Sequence, residues 1–251
     1  MLTSICRFTI WILLLIAVGL EQTANANPVP SPGFLVIAPD REYLGNEEIK
    51  VAWAEFRQSH LTRLIFISLA EDFQREVQAK LQSAVAEMQG EGATDIVLIP
   101  LVLSEADPHL KKARDLLASA KIQIAPVFGG DPLAGQILED RVRALSKEAG
   151  KERLLVIGFG ATSQEEAEAV KRDLEHLAAE VQETLHLADT SIAIFYHGQT
   201  PDPVRNQGNR LAETTILTAI EKTDLRALVV PFHLGYKHTG SMRLSQNIES
   251  L

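Results

Sequence analysis

Short apolar runs alternate along this chain with segments in which apolar residues recur at helical spacing. The runs are largely continuous, so each predicts a strand that is covered on both faces. Such strands, separated by amphipathic helices, are typical of a parallel sheet with helices on both sides. The predicted strands are GFLVIAPD (33–40), RLIFISLA (63–70), IVLIPLVL (96–103), IQIAPVF (122–128), RLLVIGFG (153–160), SIAIFY (191–196) and ALVVPF (227–232). Helical patterns cover residues 46–58, 72–89, 109–119, 133–149, 163–181 and 207–222.

The strand pattern occurs twice, which indicates an internal duplication. Leu155 corresponds to Leu35 and Pro231 corresponds to Pro100, but the second pair is further apart in the sequence than the first. An insertion of about a dozen residues in the second half would explain the difference, and we expect it in the polar segment 197–209.

The duplication predicts an α/β fold of two doubly wound parallel-sheet lobes with a cleft between them. We place the first lobe at residues 28–150 and the second at 151–251. We expect the second lobe to be short at its C-terminus, because the sequence ends at Leu251, soon after His238.

Residues 1–26 have the features of a secretory signal peptide. Arg7 precedes an apolar stretch that runs from Phe8 to Leu20, and Ala24-Asn25-Ala26 forms a small-x-small cleavage site. The stretch is short for a membrane-spanning helix, which needs about 20 residues. We expect export to the periplasm or the extracellular space with cleavage after Ala26; an uncleaved anchor is the alternative.

Charge and cysteine content exclude several classes of partner. The net charge of −9 argues against nucleic acid and against stable binding to an anionic membrane after signal cleavage. The one cysteine, Cys6, lies in the predicted signal peptide. The exported chain would therefore have no disulfide and no thiolate ligand, so a metal site must use histidine and carboxylate.

Two similar segments, 95–109 and 227–238, each contain an apolar strand, a proline, a short loop and a histidine. They read DIVLIPLVLSEADPH and ALVVPFHLGYKH. Ligands of open parallel sheets bind beyond the carboxyl ends of the strands, so His109 and His238 are candidate site residues. Glu105 and Asp107 could join His109 in such a site, but we favour a role for them as caps of the following helix.

The phrases IPLVL…H, VPFHL…H and VIGFGA, in this order, resemble the small, class II sirohydrochlorin cobaltochelatases and ferrochelatases. The resemblance covers most of residues 33–240 and suggests a degenerate tandem version of the family. It implies a chelatase-like fold and the insertion of a divalent metal into a sirohydrochlorin-type tetrapyrrole. The metal, which is cobalt, iron or nickel, would be a substrate, and no organic cofactor is implied.

The resemblance also implies roles for individual residues. His238 and His109 would be catalytic, as metal ligand or as base. The candidate metal ligands are the histidines at predicted strand ends: His109, His197, His233 and His238. The candidate cations for substrate carboxylates are Lys111, Lys112 and Lys237; the alternative is that these lysines simply point into water.

The chain departs from the family pattern at other ligand positions. Pro39 and Phe159 occupy the two places where the family has its first histidine, and Ser68 occupies the place of a common glutamate. Three hypotheses therefore remain open. The protein is a chelatase, a non-catalytic exported protein that binds metal or tetrapyrrole, or a scaffold without a ligand.

Overall fold

The structure, a computed structural model, describes residues 32–221 and 224–233. The predicted signal peptide, Lys237 and His238 lie outside the described residues. Within them, no helix combines the length and the apolar composition that crossing a membrane requires.

Strands and helices alternate along the described chain. The strands are β1 (Gly33–Pro39), β2 (Thr62–Ile67), β3 (Ile96–Pro100), β4 (Gln123–Ile124), β5 (Glu152–Ala161), β6 (Asp189–Tyr196) and β7 (Arg226–Pro231). The helices are α1 (Glu42–Phe56), α2 (Gln74–Gly90), α3 (Pro108–Leu116), α4 (Pro132–Leu145), α5 (Gln164–Leu185) and α6 (Asp202–Glu221). The prediction of an α/β fold with two parallel sheets is confirmed.

The described residues form two compact units. Unit 1 comprises residues 32–100 and 113–125, and unit 2 comprises 101–112, 126–221 and 224–233. The predicted lobe boundary at residue 150 does not coincide with these units, because residues 101–112 and 126–150 belong to the same unit as the second half of the sequence.

Each unit contains one parallel sheet. The strand order is β2-β1-β3-β4 in unit 1 and β6-β5-β7 in unit 2, so the first three strands of each sheet are connected in the same order. The register is also the same: Ile37 lies opposite Pro100, and Ile157 lies opposite Pro231. The correspondence of the two halves read from the sequence is therefore preserved in the strand pairing.

The pairing of β1 with β2 and of β5 with β6 shows where the insertion lies. Ile37 lies opposite Ile65, and Ile157 lies opposite Ala193, so the chain between paired positions is longer in the second sheet. Most of the extra residues therefore precede β6, and the prediction that they lie in 197–209 is wrong. They lengthen a helix instead, since α5 has 22 residues and α1 has 15.

The core of unit 2 forms around its central strand, β5. Its leucine and isoleucine side chains are almost completely buried, as a strand between two neighbours and two layers of helix requires. One cluster of the core packs β5 and β6 against α6. It consists of Leu155, Ile157, Ala193, Phe195, Ala212, Ile216 and Ala219.

The predicted starts of helices α4 and α5 are confirmed by their capping side chains. The Ser163 hydroxyl accepts from the Glu166 N–H at the start of α5. The Glu166 carboxylate in turn accepts from the Thr162 N–H and hydroxyl, which completes a variant of the capping box. At α4, Asp131 accepts from the Leu133 N–H, with a proline at the first helical position.

The end of β6 depends on close packing between a ring and a glycine. The Tyr196 ring is buried against Gly208 of α6, where an added Cβ would lie 2.1 Å from Tyr196 Cε2. The side-chain oxygen of Asn209 also accepts from the Tyr196 N–H, at 2.9 Å. These two contacts hold the residue that directly precedes His197.

We expect the substitution Gly208→Ala to lower the free energy of unfolding by about 1–3 kcal/mol, because the methyl group overpacks the Tyr196 ring. Gly135→Ala in α4 is the matched control, since the nearest atom to its added Cβ is a carboxylate oxygen of Glu180 at 3.4 Å. That variant should gain up to about 1 kcal/mol from helix propensity. Urea denaturation measures both values, and equal stabilities of the two variants would contradict this packing.

Candidate functional site

The loop after β3 is fixed to unit 2 by a hydrogen bond to α5. The Ser104 hydroxyl donates to Asp173 Oδ2 at 2.5 Å, across 69 residues of sequence. The same hydroxyl accepts from the Ala106 N–H, and the Ser104 carbonyl accepts from the Asp107 N–H. The loop is therefore a tight turn, and the Asp173 side chain of α5 is one of the contacts that set its position.

A second contact holds this loop from its other side. The Phe128 N–H donates to the Val102 carbonyl at 3.1 Å. At Gly129 an added Cβ would lie only 1.9 Å from the Leu103 carbonyl oxygen. Only glycine permits this approach of two backbones, so the residue fixes the path of the loop without a side chain of its own.

Asp107 begins helix α3 and also orients a histidine. Its Oδ1 accepts from the His109 N–H at 2.8 Å, as a capping residue does, which confirms the predicted capping role. The same oxygen lies 2.9 Å from His109 Nδ1, and the His109 ring is buried, with only 4% of the residue exposed. The histidine ring is thus fixed by the group that starts its helix.

His197 is held at the carboxyl end of β6. Its N–H donates to the Ala161 carbonyl at 2.8 Å, which continues the pairing of β6 with β5. Its Nδ1 accepts from the Gln199 N–H at 3.1 Å. The buried Thr200 closes the turn, since its N–H donates to the His197 carbonyl and its hydroxyl donates to the Ala161 carbonyl. Backbone and side-chain contacts therefore fix this ring as well.

The two histidine rings meet within unit 2. Their centroids lie 5.6 Å apart, with an interplanar angle of 78°. The Phe159 ring lies 6.4 Å from the His197 ring, at 55°. Two imidazoles and an aromatic ring therefore converge near the carboxyl ends of β5 and β6, the edge at which ligands of open parallel sheets bind.

Phe159 reaches this position because of a bulge in β5. The register of β5 against β6 shifts between Phe159 and Ala161, and Gly160 between them has a φ of 117°. A bulge re-aims the neighbouring side chain. Phe159 is accordingly 37% exposed, whereas the leucine, valine and isoleucine side chains of the strand are buried.

His233 lies at the same edge of the sheet of unit 2. It follows Phe232, whose N–H extends the pairing of β7 by donating to the Ile157 carbonyl at 2.9 Å. The strand order β6-β5-β7 then places His197, Phe159 and His233 at the ends of three adjacent strands.

The predicted site residues are thus only partly assembled among the described residues. His109 and His197 are in contact, and His233 follows the neighbouring strand. Over residues 32–221 and 224–233, no group of three or more histidine, cysteine or acidic side chains is arranged to hold a metal. His238 and Lys237 lie outside this range, and the four-histidine metal site stays a prediction.

The two predicted lysines of α3 are the fourth and fifth residues of the helix, at the end of its first turn and the start of its second. Lys111 is exposed, and Lys112 is partly buried. The Lys111 N–H donates to the Asp107 carbonyl, so both lysines follow directly from the capped start of the helix. Their role in binding substrate stays a prediction.

Tyr196 is buried at the end of β6, directly before His197. Burial raises the pKa of its hydroxyl, and the nearby carboxylates of Glu168 and Glu166 raise it further. The phenol therefore stays neutral at physiological pH and contributes no charge beside His197.

Two features of the site were missed by the sequence reasoning. They are the Ser104–Asp173 hydrogen bond and the exposed ring of Phe159. Only the last had a local signal, because a glycine inside a strand pattern often marks a bulge.

Comparison with known proteins supports the fold. No protein-family model matches the sequence, and no curated protein matches it. Among solved structures, SirB from Bacillus subtilis with Fe³⁺ matches with a TM-score of 0.57 and 16% identity, over 88% of this chain and 84% of that chain. A second solved structure, of a protein from Clostridium difficile 630, matches with a TM-score of only 0.31 and 14% identity, over 80% of this chain and 61% of that chain.

The similarity to SirB is one of fold. The chain has a sirohydrochlorin chelatase-like fold, with two parallel sheets in the strand orders β2-β1-β3-β4 and β6-β5-β7. At 16% identity the similarity establishes the fold alone and not the chemistry of the site.

We expect Gly160→Ala to lower the free energy of unfolding by about 1–3 kcal/mol, because a residue with a Cβ is strained at this φ. The added Cβ would meet no atom within 4 Å, so the cost is one of backbone conformation. Gly150→Ala is the control, since its Cβ also meets nothing and its φ is not left-handed. If urea denaturation finds the two variants equally stable, the bulge does not depend on Gly160.

Proposed function

We propose that this protein is a chelatase, which inserts cobalt or ferrous iron into a sirohydrochlorin-type tetrapyrrole. The observation that carries the proposal is the buried His109, held by Asp107 and lying 5.6 Å from the ring of His197. The similarity of the fold to that of SirB, which was solved with Fe³⁺, supports it. So does the resemblance of the strand-end segments to the sirohydrochlorin chelatases.

Metal insertion replaces two pyrrole N–H protons by one divalent ion. The site must therefore accept protons and must hold the metal weakly enough to release it. A neutral imidazole does both near pH 7. His109 would take each proton in turn and pass it to solvent, and the adjacent Asp107 would stabilise the imidazolium that forms between the two transfers.

The metal in this proposal is a substrate, and no organic cofactor takes part. Imidazole nitrogen together with carboxylate and water oxygen suits cobalt, iron and nickel. His197, His233 and His238 are the proposed further ligands.

The tetrapyrrole would be recognised by an aromatic ring and by cations. The exposed ring of Phe159, next to His197, offers an apolar face to a flat macrocycle. Lys111, Lys112 and Lys237 would pair with its carboxylates. Lys111 is the fourth residue of α3, at the end of its first turn, where the helix dipole disfavours a cation, and an anionic substrate would offset that cost.

A second candidate is a non-catalytic protein that binds metal or tetrapyrrole. The observation that favours it is Phe159, which occupies a position where the resembling family has a histidine. In either case we propose that the protein works outside the cytoplasm, because residues 1–26 resemble a signal peptide.

The assay mixes purified protein with sirohydrochlorin and Co²⁺ and follows absorbance against a control without protein. We expect the protein to accelerate insertion. His109→Ala should reduce the rate by about 10²–10⁴-fold, the usual contribution of a general base. His176→Ala, which removes an exposed histidine of α5, should leave the rate unchanged.

Because His109 is buried, the melting temperature of the variant is measured alongside the rate. A variant that stays folded and retains full activity would contradict the role of His109. A stoichiometric spectral shift without turnover would favour the second candidate, and no shift with either ligand would contradict both.

A further inference from the structure

We propose that Asp107 is a positioning residue: it fixes the tautomer of His109 so that Nε2 is the nitrogen available to metal or proton. A second part of the proposal is that His197 is held in the opposite tautomer. The two imidazoles would then have different roles, although the sequence suggested both as metal ligands. The inference rests on the proposed function for its chemistry, but the tautomers themselves can be measured without any turnover.

The contacts of Asp107 set the tautomer of His109. Asp107 Oδ1 accepts from the His109 N–H at 2.8 Å and lies 2.9 Å from Nδ1 of the same residue. An ionised carboxylate accepts hydrogen bonds and donates none, so the short contact requires a proton on Nδ1. The lone pair of the neutral ring is then on Nε2. A carboxylate that orients a ligand histidine in this way is a recurrent feature of metal sites.

A backbone N–H sets the opposite tautomer of His197, with the proton on Nε2. The Gln199 N–H, which can only donate, lies 3.1 Å from His197 Nδ1. Nδ1 must therefore carry the lone pair, and the proton of the neutral ring lies on Nε2. The turn that presents this N–H is fixed by Thr200, which bonds to both the His197 and Ala161 carbonyls.

In this pair of rings, 5.6 Å apart, His109 Nε2 can thus accept a proton or a metal ion, whereas His197 Nε2 can donate a hydrogen bond. His109 is the acceptor for the metal or for a pyrrole proton. His197 would have to exchange its proton or turn its ring before it could bind a metal through Nε2. In the metal-free protein it is therefore a hydrogen-bond donor beside the acceptor.

The chain contains a matched control for Asp107. Helices α3 and α4 both begin with Asp-Pro, and Asp131 accepts from the Leu133 N–H at 2.8 Å, as Asp107 does from the His109 N–H. At the start of α4, however, the residue two positions after the aspartate is Leu133 and not a histidine. Asp131 therefore has the capping role without a histidine to orient.

Serine caps helices about as well as aspartate, but its hydroxyl can either donate to or accept from a ring nitrogen. Asp107→Ser should therefore keep the start of the helix and lose control of the tautomer. Asparagine can still accept through its oxygen from both His109 nitrogens, so Asp107→Asn should retain the Nδ1-protonated form. Asp131→Ser should match Asp107→Ser in stability and leave His109 unaffected.

The measurement is the ¹⁵N chemical shifts of the imidazole nitrogens of the metal-free full chain, with a Co²⁺ titration of each variant. We expect His109 protonated at Nδ1 and His197 protonated at Nε2 in the wild type and in the Asp107→Asn and Asp131→Ser variants. Asp107→Ser should show mixed tautomers of His109 and bind Co²⁺ about 10–100-fold more weakly. His109 protonated at Nε2 in the wild type, or an Asp107→Ser variant with unchanged tautomer and affinity, would overturn the proposal. Failure of the insertion assay alone would count against the proposed function and leave this result standing.

Discussion

The site depends on how the loop after β3 is held. Residues 101–112 belong to unit 2, although β3 itself is part of unit 1. The hydrogen bond from Ser104 to Asp173 fixes the loop on α5, and the glycine at 129 lets the backbone of the turn at 128–130 approach Leu103 closely. Without these contacts the buried His109 would have no fixed position beside His197, and Asp107 would orient a histidine with no partner. The chemistry proposed above therefore follows from a packing arrangement more than from any single motif.

The duplication explains the scaffold but not the site. Both sheets share strand order and register, and the two prolines at the ends of β3 and β7 occupy equivalent places. The described site is asymmetric, however, since it uses one loop from the first half of the sequence together with strand ends from the second. Phe159 illustrates the same divergence: a bulge at Gly160 exposes its ring, whereas the equivalent Pro39 ends β1.

Much of the fold could be predicted from local patterns, and much of the site could not. Continuous apolar runs identify the strands because burial on both faces leaves no polar positions, and Ser163 and Asp131 mark helix starts because their side chains cap free N–H groups. The predicted ends were less accurate. β3 ends at Pro100 and not at residue 103, and β4 covers only residues 123–124 of the predicted 122–128. Proline has no N–H to donate and so restricts the pairing of a strand near its end.

The contacts that assemble the site join residues that are far apart in sequence, such as Ser104 and Asp173, and leave no periodic signal.

The site requires that the rings of His109 and His197 are in contact, and nuclear Overhauser effects between their ring protons test this directly. With the two histidines selectively labelled in the metal-free protein, a centroid separation of 5.6 Å predicts a strong cross-peak between their ring protons. It should persist in His176→Ala, whose altered residue lies on the exposed surface of α5. A folded protein with both ring signals assigned and no cross-peak between them would contradict the account.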